Sequence, residues 1–295
     1  MQSVARKKIT RFSGADKFKL VHTKIFSKHF TRIRLSEELT NMEMKDRIVV
    51  ITGGSGGIGQ AMARAFLAEG AKQIVLADLH EDAVQAAAND IGCIGIACDV
   101  TSESDIESVV EQTIAREGRI DLFCSNAGAG GAGLLTDATN EVWQNQWELH
   151  VMSHLYAARA VLPSMIARGE GYLLNTASAA GLLAAMGSGP YTVTKAAAVK
   201  LAEFLAITHG DDGIGVSVLC PQGVNTAMAP KSLGDGQTDG IIEPEQLAQT
   251  VVACIREGRF HVLPHPEVED YVRRKGDDVD RWLIGMRRLK RNSQA

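Results

Sequence analysis

The sequence predicts an α/β fold, a doubly wound parallel sheet covered by helices on both faces. Two observations carry this. From residue 47 onward, short apolar runs alternate with longer amphipathic stretches, and alternating strands and helices close into a parallel sheet through right-handed crossovers. The first apolar run also breaks into glycines, Thr52-Gly53-Gly54-Ser55-Gly56-Gly57-Ile58-Gly59, before a helical pattern begins. No repeat, low-complexity tract or Pro/Ser-rich linker interrupts the alternation, so a single domain over about residues 45–265 is the simplest organisation.

Strands are expected at 48–52, 73–77, 93–98, 120–124, 172–176, 215–220 and 260–263, each a short run rich in Val, Ile, Leu or Phe. Helices are expected at about 58–69, 80–90, 103–117, 139–167, 190–209 and 244–257, where apolar residues recur at helical spacing. Residues 266–291 read as a further C-terminal helix, with Trp282, Leu283, Met286 and Leu289 on one face and Arg and Lys on the other. Gly276 and Gly285 weaken that pattern.

Composition bounds the function. Apolar residues make up 45% of the 295 and charged residues 22%, ordinary values for a globular protein. No window approaches 18 uninterrupted apolar residues, so no membrane-spanning helix is expected. The five cysteines form no C-x-x-C pair and read as reduced core residues of a cytoplasmic protein. Residues 1–41 hold ten Lys and Arg against three acids, a net +7, which leaves the rest of the chain at −11. An acidic body argues against a nucleic-acid partner. The basic leader reads as a poorly ordered tail, as the product of a start upstream of Met42 or Met44, or as an organelle-targeting peptide.

Glycines after a strand remove the side chains that would block a phosphate, and the helix that follows aims its N-terminus at the anion. Gly53, Ser55, Gly57, Ile58 and Gly59 are therefore candidates to cradle a pyrophosphate. Asp78, 19 residues past Gly59, ends the second apolar run. Its carboxylate can accept both ribose hydroxyls of an adenosine and would repel a 2′-phosphate. Leu79 follows and no Arg or Lys stands at 54–56, so the reading is NAD rather than NADP. The alternative for Asp78 is a cap on the next helix. Asp99-Val100 and Asn126-Ala127-Gly128 end the third and fourth runs, at the carboxyl ends of strands where such folds bind ligands. Asp99 alone would also serve as a helix cap.

Taken with Ser178, Tyr191-x-x-x-Lys195 and Pro221-x-x-Val224-x-Thr226, this set resembles the short-chain dehydrogenase/reductase family, in the family's order over about residues 45–226. The resemblance implies a Rossmann-like fold, a nicotinamide dinucleotide held by the residues above, and a homodimer or homotetramer built through helices 139–167 and 190–209. Ala157, Ala158, Ala160, Ala196, Ala197 and Ala198 would allow close approach there. It also implies that Ser178 holds the substrate oxygen and that Lys195 binds the nicotinamide ribose.

The chemistry follows from the residues. Tyr191 and Lys195, four apart, share a helix face. An ammonium one turn away, with the positive charge of oxidised nicotinamide, should lower the tyrosine pKa from about 10. Tyr191 then takes the proton of a secondary alcohol, or donates one to a ketone. The partner is thus a small-molecule alcohol or ketone, and the alternative is a non-catalytic dinucleotide-sensing or scaffold protein of the same fold.

Three departures from the family stand out. His150 occupies the position, seven after Trp143 and thirteen before Pro163, where the family has an asparagine. It reads either as a proton relay toward the lysine or as a core histidine satisfying a helix-bend carbonyl. Pro221-Gln222-Gly223 stands where Pro-Gly is usual, and Phe260-His261-Val262-Leu263-Pro264-His265-Pro266 replaces the glycine-rich ending. Pro264 and Pro266 break any helix that would align His261 with His265, so both read as loop residues and no metal is expected. Residues 227–243 read as a substrate lid, and Leu134, Leu182, Leu183, Met186 and Met228 as an apolar pocket.

Overall fold

A computed structural model describes residues 40–130, 133–227 and 239–293. The chain divides into two units, Met1–Glu38 and Leu39–Ala295, and everything described belongs to the second. The described residues build a seven-stranded parallel sheet in the order β3-β2-β1-β4-β5-β6-β7. Its strands are β1 (Ile48–Thr52), β2 (Gln73–Asp78), β3 (Ile94–Ala97), β4 (Leu122–Ser125), β5 (Gly171–Thr176), β6 (Ile214–Leu219) and β7 (His261–Val262). In register, Ile51 lies beside Leu76 on one side and Cys124 on the other. The order reverses between β1 and β4, so the crossovers diverge there and open a crevice at the strands' carboxyl ends.

Successive residues of a strand point to opposite faces. Val49 and Ile51 join one apolar cluster with Phe66 and Leu247, whereas Val50 joins the other with Val109, Val161 and Ala198. Both faces are buried, which explains why the strands read as continuous apolar runs. The covering helices are α1 (Gly57–Ala68), α2 (Glu81–Ile91), α3 (Glu103–Glu117), α4 (Asn140–Trp147), α5 (Ser153–Arg168), the single turn α6 (Ala179–Leu182), α7 (Gly189–His209) and α8 (Pro244–Glu257). Then come α9 (Glu267–Asp277) and α10 (Val279–Ser293).

Several expectations need correction. The helix expected at 139–167 is interrupted by a π-helical turn, Glu148–Met152, between α4 and α5. The C-terminal helix breaks at Asp278, whose extended backbone (φ −155°, ψ 94°) stops α9. His261 lies in β7 rather than a loop. Met42 and Met44 are buried in the core, and the Met42 N–H donates to the Ile255 carbonyl at 3.2 Å, so packing begins before residue 45. The five cysteines are unpaired and all but Cys93 are buried. No helix among the described residues is long and apolar enough to cross a membrane.

Candidate active site

A cleft of about 1560 Å³ runs along the carboxyl ends of the strands. The expected cofactor-binding positions, from Gly53 to Thr226, all line it, as do Ser178, Tyr191 and Lys195. His150 lies behind this lining, fully buried.

The glycine turn is built for close approach. Gly53 has φ 63°, and a Cβ there would come within 2.9 Å of the Ala127 Cα. A Cβ at Gly59 would run into the Gly53 carbonyl oxygen. The N-terminus of α1 carries no side-chain cap, so its first amides face the cleft free of any competing side chain. This cradle fits a dinucleotide pyrophosphate. The Asp78 carboxylate accepts from the Ser55 amide at 2.9 Å, the Ser55 hydroxyl at 2.7 Å and the Leu79 amide at 2.8 Å. It does not cap α2, where His80 stands at the N-cap. Nor does Asp99 cap α3. Ser102 does, accepting from the Asp105 amide, while Asp99 Oδ1 takes the Thr101 amide at 2.9 Å and hydroxyl at 2.7 Å.

Three strand ends are tied together by Asn126. Its backbone N–H donates to Thr52 Oγ1 at 2.9 Å, and its side-chain amide donates to the Thr52 carbonyl at 3.0 Å. Its Oδ1 accepts from Thr176 Oγ1 at 3.2 Å. A half-buried polar group with all these partners fixes a geometry rather than merely tolerating one.

Ser178 is the N-cap of α6 and accepts from the Ala180 amide at 3.1 Å. Tyr191 and Lys195 project from one face of α7, with the ammonium 5.7 Å from the phenol ring centroid. Lys195 Nζ donates to the Thr176 carbonyl at 2.9 Å, and burial pushes its pKa down to about 8. Burial also pushes the Tyr191 phenol above its ordinary value, against the pull of its hydrogen bond with Ser178. The sequence pointed to a lowered value. In the folded chain desolvation outweighs the protein groups that favour the phenolate.

His150 sits in the π-helical turn. Its Nε2 accepts from the Ala129 amide at 3.2 Å and its Nδ1 lies 3.0 Å from Thr194 Oγ1. Burial, then the charge of Lys195, push its pKa down to about 2. The ring therefore meets a loop amide, not the helix-bend carbonyl considered from sequence. With both nitrogens engaged and no proton to gain near neutral pH, it is poorly placed to relay one. His154, one turn on, bonds Asn175 at 3.1 Å and is held near pKa 3 by burial.

The expected pocket is partly redrawn. Leu183 lines the cleft; Leu134, in a tight turn, is exposed, and Leu182 faces the core. Met186 is not on the lining, and Met228, with lid residues 228–238, lies outside the described residues. Val224 and Ile242, on either side of 228–238, form a parallel bridge. The far wall is formed by residues the sequence placed on a helix but not in the site, namely Tyr271, Arg274, Trp282, Gly285, Met286 and Leu289. Their signal was the apolar face of α10, which had no evident partner. One of the family departures reaches this wall: Gln222 Nε2 and Tyr271 Oη donate to the two oxygens of Asp239, at 2.7 and 2.8 Å. Lys275 Nζ also donates to the Leu182 carbonyl at 2.6 Å, pinning α9 to the turn that begins at Ser178.

Among known proteins, a family model described as short chain dehydrogenase matches residues 47–235. The chain belongs to that family and is an oxidoreductase of it, a family that binds nicotinamide dinucleotides. It is similar to meso-2,3-butanediol dehydrogenase of Serratia marcescens, 31% identical over 70% of this chain and 86% of the relative. It is likewise 32% identical to 3beta-hydroxysteroid dehydrogenase 2 of Eggerthella lenta, over 65% of this chain and 76% of that one. Among solved structures, a short chain dehydrogenase/reductase from Burkholderia phymatum in complex with NAD superposes with a TM-score of 0.74. It is 27% identical, over 81% of this chain and 96% of that one.

Proposed function

We propose that the protein is an NAD-dependent dehydrogenase that interconverts an apolar secondary alcohol and its ketone. The observation that carries this is the convergence of Ser178, Tyr191 and Lys195 on one cleft with the glycine turn and Asp78. Bound nicotinamide supplies the hydride acceptor or donor. The protein's own part is proton handling and orientation. Ser178 holds the substrate oxygen, and Tyr191 Oη takes the alcohol proton or returns it to the ketone oxygen. Lys195, fixed by the Thr176 carbonyl, places positive charge beside the phenol and would hold the nicotinamide ribose.

NAD rather than NADP is favoured by the Asp78 carboxylate at the adenosine end, and the Burkholderia structure, with its bound NAD, supports the same choice. A cleft of about 1560 Å³ exceeds the ~300–1,000 Å³ usual for one small molecule. It has room for a dinucleotide and a sizeable substrate, and its α10 wall is apolar. Relatives named for butanediol and for a hydroxysteroid support a secondary alcohol as the substrate. The catalytic unit takes in residues 42–293 and pairs as a homodimer or homotetramer through α4, α5 and α7. The alanines expected at that surface include Ala157, Ala158 and Ala198, which are core residues. Val193, Phe204 and Ile207 are the exposed apolar side chains of α7 and supply the contact instead.

The test is a screen of secondary alcohols of graded size, read as NADH absorbance. The expected result is turnover of at least one bulky apolar alcohol with NAD preferred, and loss of most of that preference in Asp78→Ala. Faster turnover with NADP at equal low concentration would overturn the cofactor assignment; no turnover of any alcohol or ketone would favour the sensing or scaffold reading.

A further inference from the structure

Thr194, between Tyr191 and Lys195 in the chain, is fully buried, and its side chain lies off the cleft lining. Its hydroxyl has one proton to give. Two carbonyls stand within reach, Pro190 at 2.9 Å and Tyr191 at 3.2 Å, and a carbonyl can only accept. The proton therefore goes to the helix backbone, the usual back-bond of a helical threonine. Toward His150 the oxygen offers a lone pair, so Nδ1 must carry the imidazole hydrogen across the 3.0 Å contact. Nε2 is then a bare acceptor, and the Ala129 N–H meets it at 3.2 Å. Three hydrogen bonds agree on one neutral tautomer. A histidinium would set its Nε2–H against the Ala129 N–H.

The bridge joins two parts of the site. Ala129 belongs to the loop after β4, and Thr194 to the helix that carries Tyr191 and Lys195. Gly128 fits between them: a Cβ there would sit 3.4 Å from Lys195 Nζ and 3.5 Å from His150 Nε2. The titratable groups facing the imidazole are Lys195, His154 and Tyr191, whose ring meets it edge-on at 5.4 Å.

We infer that His150 and Thr194 form an uncharged hydrogen-bond bridge that sets the distance between the loop after β4 and helix α7, which makes Thr194 a positioning residue for Tyr191 and Lys195. The inference rests on the proposed role of that pair. It assigns His150 no proton transfer.

The test has two parts, both on the full chain. Ring ¹⁵N spectra of labelled histidine should show His150 as the Nδ1–H tautomer, unchanged from pH 5 to 9. An Nε2–H tautomer, or titration in that range, would overturn the bridge. Thr194→Val keeps the volume and removes the bond to His150 together with the back-bond to the helix. Its kcat for an alcohol used by the wild type should fall roughly tenfold or more, since small misplacements of reacting groups are costly. NADH affinity and KM should stay within about twofold, and Thr194→Ser should restore kcat. A folded Thr194→Val with wild-type kcat would sink the positioning role. If that variant does not fold, the ring spectrum and Thr194→Ser still decide. If the wild type turns over nothing, the catalytic reading fails while the spectrum still tests the bridge.

Discussion

Tyr191 and Lys195 meet at a buried spot where each would give up its charge. The phenol is pushed up and the ammonium down to about 8. Removing the hydroxyl leaves the ring packing intact, so Tyr191→Phe should lower kcat by about 10²-fold or more while NADH binding persists. Fluorescence titration with NADH beside steady-state rates separates the two, and near-normal turnover would refute the acid/base role. Two of the buried histidines, His150 and His154, make a stability prediction. Their folded pKa values, about 2 for His150 and about 3 for His154, lie below the ordinary 6.5. From about pH 6.5 down to about 3 the unfolded chain binds protons that the folded chain refuses, so stability falls as pH falls. The slope is about 1.4 kcal/mol per pH unit for each histidine fully in that window. Urea unfolding from pH 7 to 5 should show this loss, with a shallower slope in a folded His150→Asn.

The elements around the site are held by a few specific contacts. The π-helical turn widens the backbone at Glu148–Met152 and carries His150, a local departure of the kind that marks functional sites. At the other end α9 is pinned by Lys275, whose ammonium meets the carbonyl at the end of α6, and by Tyr271 through Asp239. α10 then presents Trp282 and Met286 to the cleft. Trp282→Ala should raise KM about tenfold for a bulky apolar alcohol and little for a small one, because aromatic burial scales with the area covered. Equal effects on both substrates would show that α10 is only a structural cover. Lys275→Met should lower stability by about 1 kcal/mol through the lost charged hydrogen bond, measurable by thermal unfolding.

For the whole molecule, the sheet order places the site and the packing sets the boundary. Strand ends from β1 to β6 converge on one cleft because the order reverses between β1 and β4. Met42 and Met44 are buried in the core and Met42 bonds to α8 through Ile255, so a chain beginning at Met42 should melt within a few degrees of the full chain. Starting after Met44 removes two buried methionines, worth roughly 2–5 kcal/mol each by analogy with truncation to alanine. That chain should melt roughly 10 °C lower or fail to fold, since 1 kcal/mol moves Tm by about 2–4 °C at this size. Calorimetry of the two chains checks both statements.

The sequence by itself determined the alternation of strands and helices, the glycine turn and the family, because these depend on spacing and turn chemistry within a few residues. Ile48–Thr52 reads as a buried strand and Gly53–Gly59 as a phosphate-type turn without any neighbour. It also pointed to Ser178, Tyr191 and Lys195, whose shared cleft follows from strand ends and helix periodicity. Only the tertiary structure decided what depends on groups far apart in the chain. The tautomer of His150 is set by Ala129, 21 residues before it, and by Thr194, 44 residues after it. Gln222 and Tyr271 are joined by Asp239, and the apolar face of α10 finds its partner in the cleft rather than the core. No local pattern encodes such pairings, because a hydrogen bond or a packed face is specified by where the folded backbone brings two distant groups.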